Sequence, residues 1–195
     1  TSGYEEAACQ GLIAGINASL KLENKEPLIL KRNEAYIGVL IDDLITKGVR
    51  DPYRLLTSRA EYRLLLRHDN ADLRLRKLGY KVGLIDEKRY QKLLDKERDI
   101  ERINETLKNN KITPKEEVNK YLIEIGSSPI KDGITLYDLL KRPEININHI
   151  KRFIYLSSNQ DILQQVEINI KYAGYIEKAN REAAKMVDLE NKKIP

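Results

Sequence analysis

The 195 residues include one cysteine, no tryptophan, one phenylalanine, one methionine and two histidines. A single cysteine, Cys9, excludes an intramolecular disulfide and a cysteine-built zinc site. Its setting, "EEAACQGLIAG", predicts a small buried helical residue rather than a reactive thiol. His68 and His149 stand far apart with no metal-motif carboxylates beside them, which predicts surface or capping roles. No run reaches the roughly 18 apolar residues of a membrane span, and no cationic and apolar leader opens the chain. These features predict a soluble, cytoplasmic protein. The chain begins without methionine and stops just after a strongly helical stretch, so it reads as a piece of something longer. Phosphate-loop, dinucleotide and HExxH patterns are missing as well. Asp42–Asp43 and Glu5–Glu6 are adjacent acids, and neighbours on a helix point in different directions. The expectation is a chain without a self-sufficient catalytic centre.

What is present is charge, 33% of residues, on a 41% hydrophobic background with regular apolar spacing. This composition predicts a packed globular chain with a large solvated surface. Lysine and arginine exceed aspartate and glutamate by five, which is compatible with a polyanionic partner without establishing one.

Periodicity predicts a mainly helical chain. Ser2 and Glu5 have capping-box spacing ahead of a first helix whose Ala7, Ala8, Gly11, Leu12, Gly15 and Ile16 form a small-residue face suited to close packing, most simply against a sheet. The start of that helix, Ser2 to Tyr4, also offers unpaired N–H groups and a positive dipole end to an anionic cofactor. After a linker around Pro27, "AYIGVLIDDLITKG" reads as a helix closed by Gly48. Further helices are expected over "ADLRLRKLG", capped by Asp69 or Asn70, over residues 86–108, from Thr113–Pro114 to about Ile125, over 136–141 and over 148–155. One long helix is predicted from about 160 to 191, laying Ile162, Val166, Ala173, Ile176, Ala183 and Val187 along the helix around 90–107 in an antiparallel bundle.

Arginine is the exception to this even pattern. Six of the fourteen arginines fall at 54, 59, 63, 67, 74 and 76. In "YRLLTSRAEYRLLLR" the alternation of Tyr62, Leu64 and Leu66 with Arg63, Leu65 and Arg67 predicts a short hairpin turning near Ser58 to Glu61. On such a strand Arg63 and Arg67 share a face, where guanidiniums suit phosphate oxygens, and Tyr53 and Tyr62 could stack on bases. The competing reading has Arg59 and Arg67 in structural salt bridges with Glu61, Asp69 and Asp72.

The blocks "GYEEAACQGLIAGINA", "EAYIGVLIDDLITKGVRDPYRLLTSRAEYRLLLRHDNADLRLRKLGYKVGLI" and "VEINIKYAGYIEKANREAAKM" resemble the C-terminal part of the MnmG/GidA family of tRNA uridine 5-carboxymethylaminomethyl modification enzymes. The resemblance implies a flavoprotein that binds FAD and uses NADH. With the GTPase MnmE, which supplies a folate-derived carbon, such enzymes build a (carboxymethyl)aminomethyl group on the wobble uridine of tRNA, in full-length form as homodimers. It implies the last helix of an FAD-binding domain at 1–20, a linker, helix and arginine-rich hairpin region at 21–80, and a helical bundle domain over 81–195 truncated at its end. The family's Gly-rich fingerprint and catalytic cysteines have no counterpart here. No cofactor is therefore expected in this piece, which alone should be inactive. By the same carry-over, Ser2, Gly3, Tyr4 and Glu5 lie near the flavin. Arg54 and Arg63 correspond to family arginines directed at tRNA, with Arg59 and Arg67 beside them. The alternative is a structural or docking module that binds MnmE or a second copy without touching RNA.

Overall fold

A computed structural model describes residues 2–48, 50–156 and 159–190. The described chain is mainly helical with one short antiparallel strand pair, as its periodicity predicts. It divides into two compact units: residues 1–90 with 176–195, and residues 91–175.

The first unit begins with α1 (Tyr4–Leu22), which carries no side-chain cap. The predicted Ser2–Glu5 box does not form, because Ser2 is engaged elsewhere: both its amide and its hydroxyl donate to the Tyr53 carbonyl, at 3.0 and 3.3 Å. Asn24, at φ 55°, ends the helix in the left-handed conformation that asparagine tolerates. An extended segment follows, held at Leu28 by both polar atoms of the Asn17 amide, 2.7 and 3.1 Å away. It then crosses α2 (Tyr36–Thr46) at Gly38, where a Cβ would lie 2.3 Å from the Lys31 carbonyl oxygen. Only glycine permits that approach.

No hairpin follows α2. Residues 53–67 form a 3-10 turn at Thr57–Arg59 and a run of further turns, so the strand pair of the fold lies elsewhere. Exposure here does not alternate: Arg63 and Leu64 face outward, Leu65 and Leu66 are both buried, and Arg67 is half-buried. Val39, Ala60 and Leu66, with Tyr36 and Leu55 against them, make a small core. The helix α3 (Ala71–Lys81) passes Gly79 by two residues before stopping, and its N-cap, Asn70, makes no capping bond.

The second unit holds the larger core. Most of α4 (Glu87–Asn109) lies in it and buries Leu93, Ile103 and Leu107. The strands β1 (Lys111–Ile112) and β2 (Ile134–Thr135) pair antiparallel, Lys111 opposite Thr135 and Ile112 opposite Ile134. Between them α5 (Glu116–Glu124) starts two residues later than Thr113–Pro114 suggests, with Lys115 rather than Thr113 at its N-cap. It closes at Gly126, whose φ of 77° suits glycine. Asn119 repeats the Asn17 device, binding the backbone of Ile130 at 2.8 and 3.1 Å. Thr135 caps α6 (Leu136–Leu140), and Asn146 with His149 forms a capping box on α7 (Ile147–Ile150), so His149 takes a capping role.

The long terminal helix is two. α8 (Gln160–Lys171) is capped by Asn159, and Tyr172 separates it from α9 (Ala173–Glu190). α8 packs on α6 and α7, not principally along α4 as expected. Of the predicted stripe, Val166 is buried and Ile162 packs against the same core. The face that α8 buries is Leu163, Val166 and Ile170, which join Leu107, Leu122, Leu139 and Ile150 in one cluster. Ala173, Ile176 and Ala183 belong to α9 and not to this cluster, and the Val187 side chain lies outside the described ones. Replacing the fully buried Leu139 by alanine should destabilise this unit by about 2–5 kcal/mol, read as a lowered denaturation midpoint with an unchanged m-value.

Candidate nucleic-acid interface

Residues 50–89 hold eleven lysines and arginines against six acids, an excess of five equal to that of the whole chain. The loop 53–63 at the start of this stretch is the candidate site, and its geometry depends on a residue outside it. Arg32, in the segment that reads as linker, donates to Asp42 and Asp43 of α2 at 2.8 Å each. It also grips both carboxylate oxygens of Glu61, at 2.7 and 3.1 Å, and the Arg59 carbonyl at 3.2 Å. A planar fork of five donors is what allows one side chain to serve partners on three sides.

Asp43, 1% exposed at its side chain, is the deepest acid of the cluster. Lys47 and the Tyr53 hydroxyl also donate to it, at 2.8 and 2.7 Å. Burial pushes the Asp43 pKa up, but the hydrogen bonds from Lys47, Tyr53 and Arg32 outweigh it and hold the group at about 2. Burial, then the bond to Asp43, pushes the Tyr53 hydroxyl up to about 12. Burial likewise opposes ionisation of Glu61, yet its bonds to Arg32 lower its pKa. Arg32 itself, despite burial, is held more firmly charged by Glu61, Asp43 and Asp42.

The other end of the loop is tied to the start of α1. Besides the Ser2 bonds to Tyr53, the Leu55 amide donates to Glu6 Oε1 at 2.7 Å. Glu6 is 8% exposed, and its Oε2 has no hydrogen-bond partner. Arg54 lies 3.9 Å from Oε1, with more than half its side chain in solvent.

The four predicted arginines therefore divide. Arg54, Arg59 and Arg63 are exposed; Arg59 lies over the Tyr53 ring, 4.9 Å from its centroid. Arg67 is mostly buried and turned inward, to Asp69 at 3.0 Å and to the Leu64 carbonyl at 2.7 Å. That arginine follows the salt-bridge reading. Arg74 is also internal, binding Asn70 at 2.8 Å and the carbonyls of Glu34 and Arg67. Tyr53 is buried, so it cannot stack on a base, whereas Tyr62 is half-buried. Of the residues expected near a flavin, Tyr4 and Glu5 are exposed at the start of α1, Gly3 is buried above Glu6, and Ser2 is tied to the arginine loop. Cys9 is exposed, contrary to expectation, because α1 buries only Glu6 among its residues. Among the described residues no cluster of metal-ligating side chains occurs, and no helix is long and apolar enough to cross a membrane.

Sequence reasoning missed Arg32 because its partners lie 7 to 29 residues away and form no local motif. Within residues 23–35 it is the one arginine, among two lysines and three glutamates, which gives no local sign of its partners.

Residues 87–180 match the family described as the tRNA modifying enzyme MnmG/GidA C-terminal helical domain, and residues 1–26 match glucose inhibited division protein A. This chain belongs to the MnmG/GidA family. Its sequence is 57% identical to the tRNA uridine 5-carboxymethylaminomethyl modification enzyme MnmG of Acholeplasma laidlawii and 60% identical to that of Onion yellows phytoplasma. All of the chain is covered in both, but 32% of each relative, so it spans about a third of the length of these MnmG proteins. The Aquifex aeolicus GidA structure in its form II crystal superposes with a TM-score of 0.84 at 40% identity, over 100% of this chain and 30% of that one.

The Asp43 pKa lies below its ordinary value of 3.8, so the stabilisation is complete above about pH 4 and disappears as the pH falls towards about 2. Wild-type protein should lose about 2 kcal/mol of stability across that window, and Asp43→Asn should flatten that limb while starting from lower stability, measured by urea denaturation at stepped pH.

Proposed function

We propose that this chain is the tRNA-contacting and partner-contacting C-terminal region of an enzyme that modifies the wobble uridine of tRNA together with the GTPase MnmE. The observation that carries this reading is the exposed trio Arg54, Arg59 and Arg63, on a loop fixed at both ends within the most basic stretch of the chain. Guanidiniums presented this way suit phosphate oxygens, because they stay charged and donate in pairs. The relatives' names supply the substrate class, a tRNA uridine.

The same reading assigns FAD and NADH to the longer protein and makes α1 the terminal helix of its flavin-binding domain. Gly11 and Gly15 have open space where a Cβ would stand and Leu12 is half exposed, so the small-residue face of α1 is available to such a domain. Of residues 2–5, Ser2 is engaged by Tyr53, so the first-turn amides of Tyr4 and Glu5, which have no side-chain cap, would be the groups that face a flavin's ring edge. Phosphates are a poor match there, since Glu5 and Glu6 occupy that turn. When bound, the flavin would supply the redox chemistry, and the residues here contribute orientation alone. A docking role for a partner protein or a second copy is favoured by the groove of about 400 Å³ between α2 and α9, where Ile45 and Met186 are exposed.

Titrating the protein with tRNA at two ionic strengths tests the main reading. Affinity should fall steeply with salt, and Arg63→Ala should weaken binding about 3- to 10-fold and reduce the salt slope by about one. Arg67→Ala should instead lower the melting temperature, because its guanidinium is engaged by Asp69. Salt-independent binding, or an unchanged Arg63→Ala protein, refutes the RNA assignment.

A further inference from the structure

We propose that Arg32 positions the RNA-facing arginine loop, by tying the Arg59 carbonyl and the Glu61 carboxylate to the acids of α2. The inference rests on the RNA reading above and gives a role to a residue outside the arginine-rich stretch.

Three observations support it. First, the segment carrying Arg32 is itself fixed: Gly38 admits the backbone of Leu30 and Lys31 against α2, and Asn17 holds Leu28. Its guanidinium therefore works from a set place. Second, the loop is anchored at both ends, by Ser2 and Glu6 at residues 53–55 and by Arg32 at residues 59–61. Of the exposed arginines, Arg54 and Arg59 lie within the anchored segments and Arg63 two residues beyond the second. Third, the same cluster orients the Arg59 side chain. Asp43 binds both Arg32 and the Tyr53 hydroxyl, and the Tyr53 ring is the surface on which Arg59 lies. A loop already in its binding shape loses less conformational freedom when a ligand docks. Guanidiniums at fixed spacing can also match successive phosphates, which mobile ones do only at an entropic cost.

Glu61 allows a clear test, because the positioning role and simple charge predict opposite signs. Glu61 is an exposed carboxylate among arginines. If it acts only through its charge, Glu61→Ala tightens RNA binding. If it serves as the handle by which Arg32 holds the loop, the same change weakens binding. Fluorescence anisotropy with labelled tRNA should show Glu61→Ala weakened about 5-fold, and Arg32→Lys, which keeps the charge and loses the fork, weakened about 10-fold. Combined with Arg63→Ala, either change should cost less than the product of the single effects, because a displaced loop no longer presents Arg63. Amide exchange at residues 57–61 should speed up in Glu61→Ala while the melting temperature stays near wild type, which separates local release from global loss. Should Arg32→Lys fail to fold, Glu61→Ala alone decides. Tighter or unchanged binding by Glu61→Ala, or strictly multiplicative effects with Arg63→Ala, overturns the proposal. If Arg63→Ala binds as wild type does, the RNA reading itself fails, and that outcome is visible whatever the Arg32 and Glu61 variants do.

Discussion

One guanidinium joins the pieces of the first unit. Arg32 comes from an extended segment, Asp42 and Asp43 from α2, and Glu61 and the Arg59 carbonyl from the loop beyond. The cluster has more acids than bases even with Lys47 included, and it survives because each oxygen of the buried Asp43 carboxylate has a donor. Burying charge is costly, and removing one partner from such a group leaves the others desolvated and unpaired. The arrangement therefore ties α2, the linker and the arginine loop to one another through a single side chain. The small apolar cluster of Val39, Ala60 and Leu66 gives these elements a surface to meet on, but specifies their relative placement far less.

The second unit follows a different logic. Its cohesion comes from a contiguous aliphatic cluster drawn from α4 through α8, with polar groups mainly at caps and turn closures and Gln165 of α8 buried beside them, donating to Asn169. Arg142 illustrates the division of labour. It bonds Ser127, which in turn donates to Glu144 at 2.7 Å, pinning the turn after α5 at the edge of the core.

Much of this was legible in the sequence where the physics is local. The helical spacing of α2 and α4, the positive φ at Gly48 and the helical class of the chain all follow from side-chain periodicity and glycine's freedom. Errors arose where a tertiary bond replaced a local one. Ser2 abandons a capping box for the Tyr53 carbonyl; at Thr113, by contrast, the bond is local, its carbonyl accepting from the Lys115 amide while α5 starts uncapped after Lys115. The alternation of residue types through Tyr62–Arg67 imitates a strand, but the turns bury Leu65 and Leu66 together, leave Arg63 and Leu64 outward and turn Arg67 in, so residue type and exposure do not run in step. Three of the four arginines singled out do face solvent, whereas Arg67 does not, and the difference lies in Asp69 two residues on. The comparison with known proteins fixes the family without fixing any residue's role. The division of the arginines comes from geometry alone.

Asn17 and Asn119 each read one distant residue through both its amide and its carbonyl, one in each unit. Such a contact needs a donor and an acceptor on the same side chain, which asparagine has and ionised aspartate lacks. Deamidation at either position would set a carboxylate oxygen against a main-chain carbonyl and detach the extended segment it holds. The two units thus share one dependence, on uncharged side chains that a single oxygen-for-nitrogen exchange would turn against the segments they hold.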